Sequence, residues 1–183
     1  MSVVFDMSDA AERARGLDAA ASALRRGDLV LLPTDTVYGV ACDAFSSRGV
    51  ERLLAAKGRG RDLPVPVLVG TPQTLEGLGY GLTKAARDLA EAFWPGPLTL
   101  VVRHQPTLAW DLGAAGGTVA LRMPLHPVAI ELLRVTGPLG VTAANAPAGA
   151  LPRTLAEAQA QLGEAAAVHL DGGPSLDTPP RTV

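Results

Sequence analysis

Apolar positions along the chain fall into short continuous runs separated by stretches of helical spacing. Val3–Phe5 is a brief strand-like start. Ser8 or Asp9 then stands where a helix N-cap is needed, and Leu17, Ala20, Ala21 and Leu24 recur on one face, predicting a helix to about Arg26 closed by Gly27. Leu29–Leu32 is apolar at every position, the pattern of a strand buried on both faces. Ser46 or Ser47 opens a helix with Val50, Leu53 and Leu54 inward, ending near Ala56. Val65–Val69 predicts a further buried strand. A short helix follows Thr71-Pro72, with proline at its first position, and Thr83 caps another that runs to Phe93.

Leu98–Val102, Thr118–Leu121 and Leu139–Thr142 read as strands, with a helix from Pro127 to about Arg134 between the last two. Thr154 and Glu157 have capping-box spacing and open a helix to about Leu162. Ala167–Leu170 is the final predicted strand, and the remainder is rich in proline and glycine. Strands alternating with helices predict an α/β fold, a single-domain twisted sheet, mixed or mainly parallel, flanked by helices. No repeat at a period of ~20–50 residues interrupts this order. The expected domain is 1–183, with a core of about 17–171 and a tail at 172–183.

Composition narrows the class. Apolar residues make up 48% and charged residues 19% of 183, and mean hydropathy is +0.22, which excludes a disordered chain. No apolar run reaches the ~18 residues of a membrane helix, and Asp6 and Asp9 lie where a signal peptide needs a basic start. The single cysteine, Cys42, has no disulfide partner within the chain, so a cytoplasmic protein is expected, with Cys42 as a small buried residue. The net charge of −2 argues against a surface given over to nucleic acid. Only Lys57 and Lys84 are lysines and only Asn145 is an asparagine, so Lys57 and Asn145 stand out.

Phosphate-binding and nucleophile-elbow motifs are absent, and His104, His126 and His169 lack metal-ligand spacing. No metal held by protein side chains is expected. Four segments remain. Pro33-Thr-Asp-Thr-Val-Tyr-Gly39 follows a buried strand, so it is either a ligand loop or a polar turn. Lys57-Gly-Arg-Gly-Arg-Asp62, if extended, points Lys57, Arg59 and Arg61 one way as an anion site; otherwise it is a cationic helix end outside the apolar core. Trp94-Pro-Gly-Pro-Leu-Thr99 reads as a rigid turn around a packed indole. Arg122, ending a buried strand, needs an anionic partner, and Asn145 lies just past another strand end, as a ligand contact or a turn residue.

Together, PTDTVYGVACDAFSS (33–47), LLAAKGRGRDLPVPVLVG (53–70), FWPGPLTLVV (93–102), TVALRMPLHPVAIELL (118–133) and TAAN (142–145) resemble the YrdC-like family, the threonylcarbamoyl-AMP synthases. The likeness runs from Leu17 to Val183. It implies a concave, positively lined cavity in an α/β domain. It also implies a reaction in which L-threonine, bicarbonate and ATP give threonylcarbamoyl-AMP and pyrophosphate, with Mg²⁺ accompanying ATP. The product would pass to a separate transferase that modifies tRNA, with at most weak tRNA contact by this chain.

By that resemblance, Thr34, Thr36, Arg122 and Thr182 are expected to bind threonine. Lys57 and Arg59 are expected to be catalytic and to face the phosphates, and Thr118, Asn145 and Arg153 to lie on the nucleotide side. The chain departs from the family pattern at Ala143, where a serine is usual, and at Gly60, Leu63, Leu68 and Arg181. Two other readings stay open: a non-enzymatic RNA-binding module of the same fold, and a related carbamoyl-transfer protein.

Overall fold

The run Leu29–Leu32 is buried at all four positions, and its side chains divide between two hydrophobic clusters. Leu29 and Leu31 join one; Val30 and Leu32 join the other. This alternation is the signature of a sheet covered on both faces.

The computed structural model describes residues 2–175. In chain order the elements are Val3–Asp6 (β1), Ala10–Arg25 (α1), Leu29–Leu32 (β2), Gly39–Asp43 (β3), Ser47–Ala56 (α2), Val67–Leu68 (β4) and Gln73–Leu78 (α3). Lys84–Phe93 (α4), Leu100–Arg103 (β5), Thr118–Arg122 (β6), Pro127–Thr136 (α5), Leu139–Ala143 (β7), Leu155–Leu162 (α6) and Ala166–Asp171 (β8) complete the set. The strands form one mixed sheet in the order β1-β8-β2-β3-β7-β4-β6-β5. β1, β8 and β2 run parallel, as do β4 and β6; the other neighbours are antiparallel. Helices α1 and α5 cover one face through Ala20, Leu24, Ala129 and Leu132. Helices α2, α3, α4 and α6 cover the other through Leu53, Leu75, Ala90 and Ala158. None of the described helices is long and apolar enough to cross a membrane.

The capping residues read from the sequence act as caps. Side-chain oxygens of Asp9, Ser46 and Thr83 accept the backbone N–H three residues on. Thr154 and Glu157 form the full capping box. Three strands differ from expectation. Val65–Val69 shortens to β4 because Pro64 and Pro66 have no N–H to give to a ladder, and the Val65 N–H donates to Leu112 O in a loop. The strand expected at Leu98–Val102 begins two residues later. β3 lies in the middle of the sheet, although its run begins inside the polar-loop segment. β1, ahead of the expected core boundary at residue 17, pairs with β8 along its whole length. Of the expected tail, Gly172–Ser175 are described; residues 176–183 lie outside the described residues.

Gly39 opens β3 at a close approach to β7. A Cβ there would lie 2.7 Å from Val141 Cγ1, so only glycine lets β7 approach this closely. Tyr38, fully buried, sends its hydroxyl to the far end of β8. It donates to Gly173 O at 2.7 Å and accepts from Gly172 N at 3.2 Å. Tyr38→Phe strands both backbone groups, so unfolding free energy should fall by about 1–3 kcal/mol, read by urea titration with an unchanged m-value.

Candidate functional site

Because both sheet faces are covered, polar side chains gather at strand ends, where Thr34, Thr36 and Thr142 are themselves buried. A cavity of about 290 Å³ opens there, between the ends of β2, β6 and β7 and the start of β3, and none of the described helix residues lines it. Its polar lining is Thr34, Thr36, Thr99, Thr142, Arg59 and Arg122. Val37, Leu68 and Val141 supply apolar wall. Ala143, at the end of β7, also faces it.

The loop from Thr34 to Tyr38 is at once a tight turn and cavity lining. Thr34 Oγ1 donates to Val37 O at 2.6 Å and accepts from the N–H groups of Thr36 and Val37, each at 3.2 Å. Asp35, 4% exposed, turns away from solvent toward β6. Its Oδ1 accepts from Arg122 Nη2 at 2.6 Å and from Leu125 N at 3.0 Å. Arg122 also donates through Nε to Gly96 O at 3.0 Å and through Nη1 to Thr36 Oγ1 at 3.3 Å. The anionic partner that a strand-end arginine requires is therefore Asp35, on the loop after β2. The Trp94–Gly96 turn supplies the third anchor. Its indole is buried and donates to Leu98 O at 2.7 Å.

The cationic loop is not extended. Lys57 caps α2 in a helical conformation and Gly58 has φ +56°, so the chain turns back between Lys57 and Arg59. Lys57 is 4% exposed, which corrects its expected place outside the core. Its ammonium donates to Ala143 O at 2.8 Å, to Asn145 Oδ1 at 2.7 Å, and to the Asn145 carbonyl. Burial, with Arg59 nearby, pushes its pKa down to about 8. Arg59 is exposed, lines the cavity and makes no ion pair among the described residues. Arg61 leaves the group altogether to pair with Asp111.

Residues 22–183 match the sequence profile of the Sua5/YciO/YrdC family, described as "Telomere recombination". The chain belongs to this family. A Mycobacterium tuberculosis protein is 55% identical over 175 residues, 96% of this chain and 81% of its own length; its name provisionally makes it a threonylcarbamoyl-AMP synthase. The Bacillus subtilis threonylcarbamoyl-AMP synthase is 36% identical over 158 residues, 85% of this chain and 46% of that protein. The structure of Pyrococcus abyssi Sua5 complexed with L-threonine aligns with a TM-score of 0.86 at 30% identity, covering 96% of this chain and 51% of that one. Escherichia coli YciO, at 20% identity, covers all of this chain and 89% of its own with the same TM-score, a likeness of fold.

Within this Sua5/YciO/YrdC fold, the cavity gathers Thr34, Thr36, Arg59 and Arg122 from the expected site residues. Lys57 and Asn145 sit behind its Ala143 edge, bonded to each other. Asn145 Nδ2 also donates to Gly149 O at 2.8 Å, so its amide fixes the loop after β7. Thr118 begins the strand that Arg122 ends, about 13 Å away at ~3.3 Å per residue. Its hydroxyl donates to Ala115 O, and it lines a separate, mostly apolar hollow of about 120 Å³. Arg153 is exposed and its backbone N–H completes the α6 cap. Thr182 and Arg181 lie outside the described residues.

Thr99 and Thr142 also line the cavity, although the sequence reading gave them no role. Leu100 pairs with Leu121, so the antiparallel register carries Thr99 opposite Arg122; that pairing was the missing signal. Strict alternation sets Thr142 on the face opposite Ala143, yet at the strand end both meet the cavity. Cys42 is fully buried, and burial pushes its thiol up to about 12.

The Lys57 geometry generates a stability effect separate from any catalytic one. Lys57→Ala leaves half-buried acceptors at Ala143 and Asn145 without their charged donor, and should lower unfolding free energy by about 1–3 kcal/mol. Thermal and chemical melts measure it; a wild-type melting profile would mean water replaces the ammonium without loss.

Proposed function

We propose that the chain is an ATP-dependent synthase that forms threonylcarbamoyl-AMP from L-threonine, bicarbonate and ATP and releases pyrophosphate. The observation that carries this reading is the cavity itself, where two guanidiniums and four threonines meet at strand ends. Such a site suits the carboxylate and hydroxyl of an amino acid, and no cysteine, serine or histidine lines it among the described residues. The relatives named for this activity, and the L-threonine in the Pyrococcus abyssi Sua5 structure, support the choice of substrate.

The chemistry suits these residues. Threonine's amine attacks bicarbonate carbon, water leaves, and a carbamate forms. A carbamate oxygen then attacks the α-phosphorus of ATP and pyrophosphate departs. Catalysis of this kind is positioning plus neutralisation of developing charge. On this reading Arg122 holds the threonine carboxylate, and the Thr34 and Thr36 hydroxyls that line the same cavity lie beside it. Arg59, exposed and without an ion pair among the described residues, faces the phosphates and the carbamate. Lys57 and Asn145 shape the nucleotide side by fixing the loop after β7.

No carboxylate lines the cavity among the described residues. A hard divalent cation prefers carboxylate oxygens, so this lining does not fit a protein-held ion, and Mg²⁺ enters with ATP as part of that substrate. The acyl adenylate would then be consumed by a transferase that acylates an adenosine of tRNA, in the cytoplasm.

Mass spectrometry of the product from threonine, bicarbonate and ATP tests the reaction; absence of the threonylcarbamoyl adenylate rejects it. Arg59→Ala should cut pyrophosphate release by ~10²-fold or more with an intact melt, because one preorganised contact to developing charge is worth roughly 3–4 kcal/mol. Arg122→Ala should weaken threonine more than ATP, by an amount matching a charged hydrogen bond of about 1.5–3 kcal/mol. Calorimetric titration with each ligand decides, and equal losses would give Arg122 a structural role only.

A further inference from the structure

The guanidinium of Arg122 reaches the cavity already fixed in orientation. One N–H on each of its three nitrogens is taken by the protein: Nε by Gly96 O, Nη1 by Thr36 Oγ1 and Nη2 by Asp35 Oδ1. An arginine carries five N–H donors, so one remains on each terminal nitrogen. A pair of such donors is what bidentate recognition of a carboxylate requires, and it works only if the fork is held in one plane. The shortest of the three anchors, 2.6 Å, is Asp35, and the same oxygen accepts Leu125 N at 3.0 Å. A single buried carboxylate oxygen thus ties the loop after β2 to both the end of β6 and the turn before α5.

We propose that Asp35 is a positioning residue, whose carboxylate aims the free N–H pair of Arg122 at the ligand carboxylate while Arg59 supplies the net positive charge. This rests on the reading that Arg122 holds threonine. The ion pair of Asp35 and Arg122 is electrically neutral, so Arg122 contributes geometry. Arg59 lines the same cavity as a cation with no ion pair among the described residues, and provides the attraction. Asp35 does not line the cavity, so it acts through Arg122.

Asp35→Asn separates geometry from charge by sign. The substitution keeps size and one acceptor oxygen but removes the negative charge, so a purely electrostatic role would tighten threonine binding. A positioning role loosens it, because a neutral amide holds the fork less firmly. Calorimetric titration should show threonine weakened about 5- to 50-fold, the scale of coupling within one hydrogen-bonded network, with ATP affinity within about twofold. In an Arg122→Ala background, Asp35→Asn should change threonine affinity by less than about twofold, since the group it aims is gone. Tighter or unchanged threonine binding in the single variant overturns the proposal. So does an equal loss in the Arg122→Ala background, or a matching loss of ATP. Failure of the underlying reading looks different: wild-type protein, or wild type against Arg122→Ala, shows no threonine dependence at all. If Asp35→Asn gives no cooperative melt, Arg122→Lys replaces it. That ammonium still pairs with Asp35 but has no fork, so threonine should weaken as far as in Arg122→Ala, and wild-type affinity would overturn the proposal.

Discussion

Strands in the middle of this sheet must bury both faces, and that constraint decides where polar chemistry can live. β2 spends Leu29 and Leu31 on one helical layer and Val30 and Leu32 on the other, leaving no position for a polar side chain. Hydroxyls, carboxylate and guanidiniums are therefore displaced to the strand ends, where Thr34, Arg122 and Thr142 meet around one cavity. The described helices clothe the sheet but do not line that cavity. The site is made by strand ends and the loops leaving them, as α/β sheets generally arrange their ligand sites.

Loops would ordinarily be too mobile to hold a guanidinium in one orientation. Here each is fastened by a buried polar group instead of by apolar packing. Asp35 pins the loop after β2 to β6, Lys57 pins the end of α2 to the loop after β7, and the Tyr38 hydroxyl pins the end of β8. A buried charge is tolerable only when partnered: Asp35 accepts from Arg122 and the Leu125 N–H, and the Lys57 ammonium donates to three oxygens. The site is consequently stiff where it must orient a ligand, and Arg59, on a glycine-flanked turn, is its exposed cation.

Local signals carried most of the fold. Thr83 and Thr154 set their helix starts directly, and the pairs Ser8/Asp9 and Ser46/Ser47 set theirs to within one residue, because capping depends only on neighbours in sequence. Strand limits were less legible, since they depend on which partner offers a ladder: Pro64 and Pro66 shorten β4, and β3 is recognisable as a strand only beside β2 and β7. The site was legible in residue type more than in role. Arg122 demanded an anion, but that Asp35 supplies it follows from tertiary contact 87 residues apart in sequence. Lys57 stood out by rarity, yet its burial depends on how Gly58 turns the chain, and Thr99 enters the cavity only through the β5–β6 register.

Cys42 lies in β3 beneath α2, fully buried, with its thiol pushed up to about 12. The nucleophile in alkylation and disulfide exchange is the thiolate, so folded molecules present almost nothing for such reagents to attack. The lone thiol is thereby a clock for opening of the central sheet. Under native conditions a thiol reagent can mark the protein only as often as β3 and the helix above it come apart, and the marking rate reads the free energy of that opening without any introduced probe.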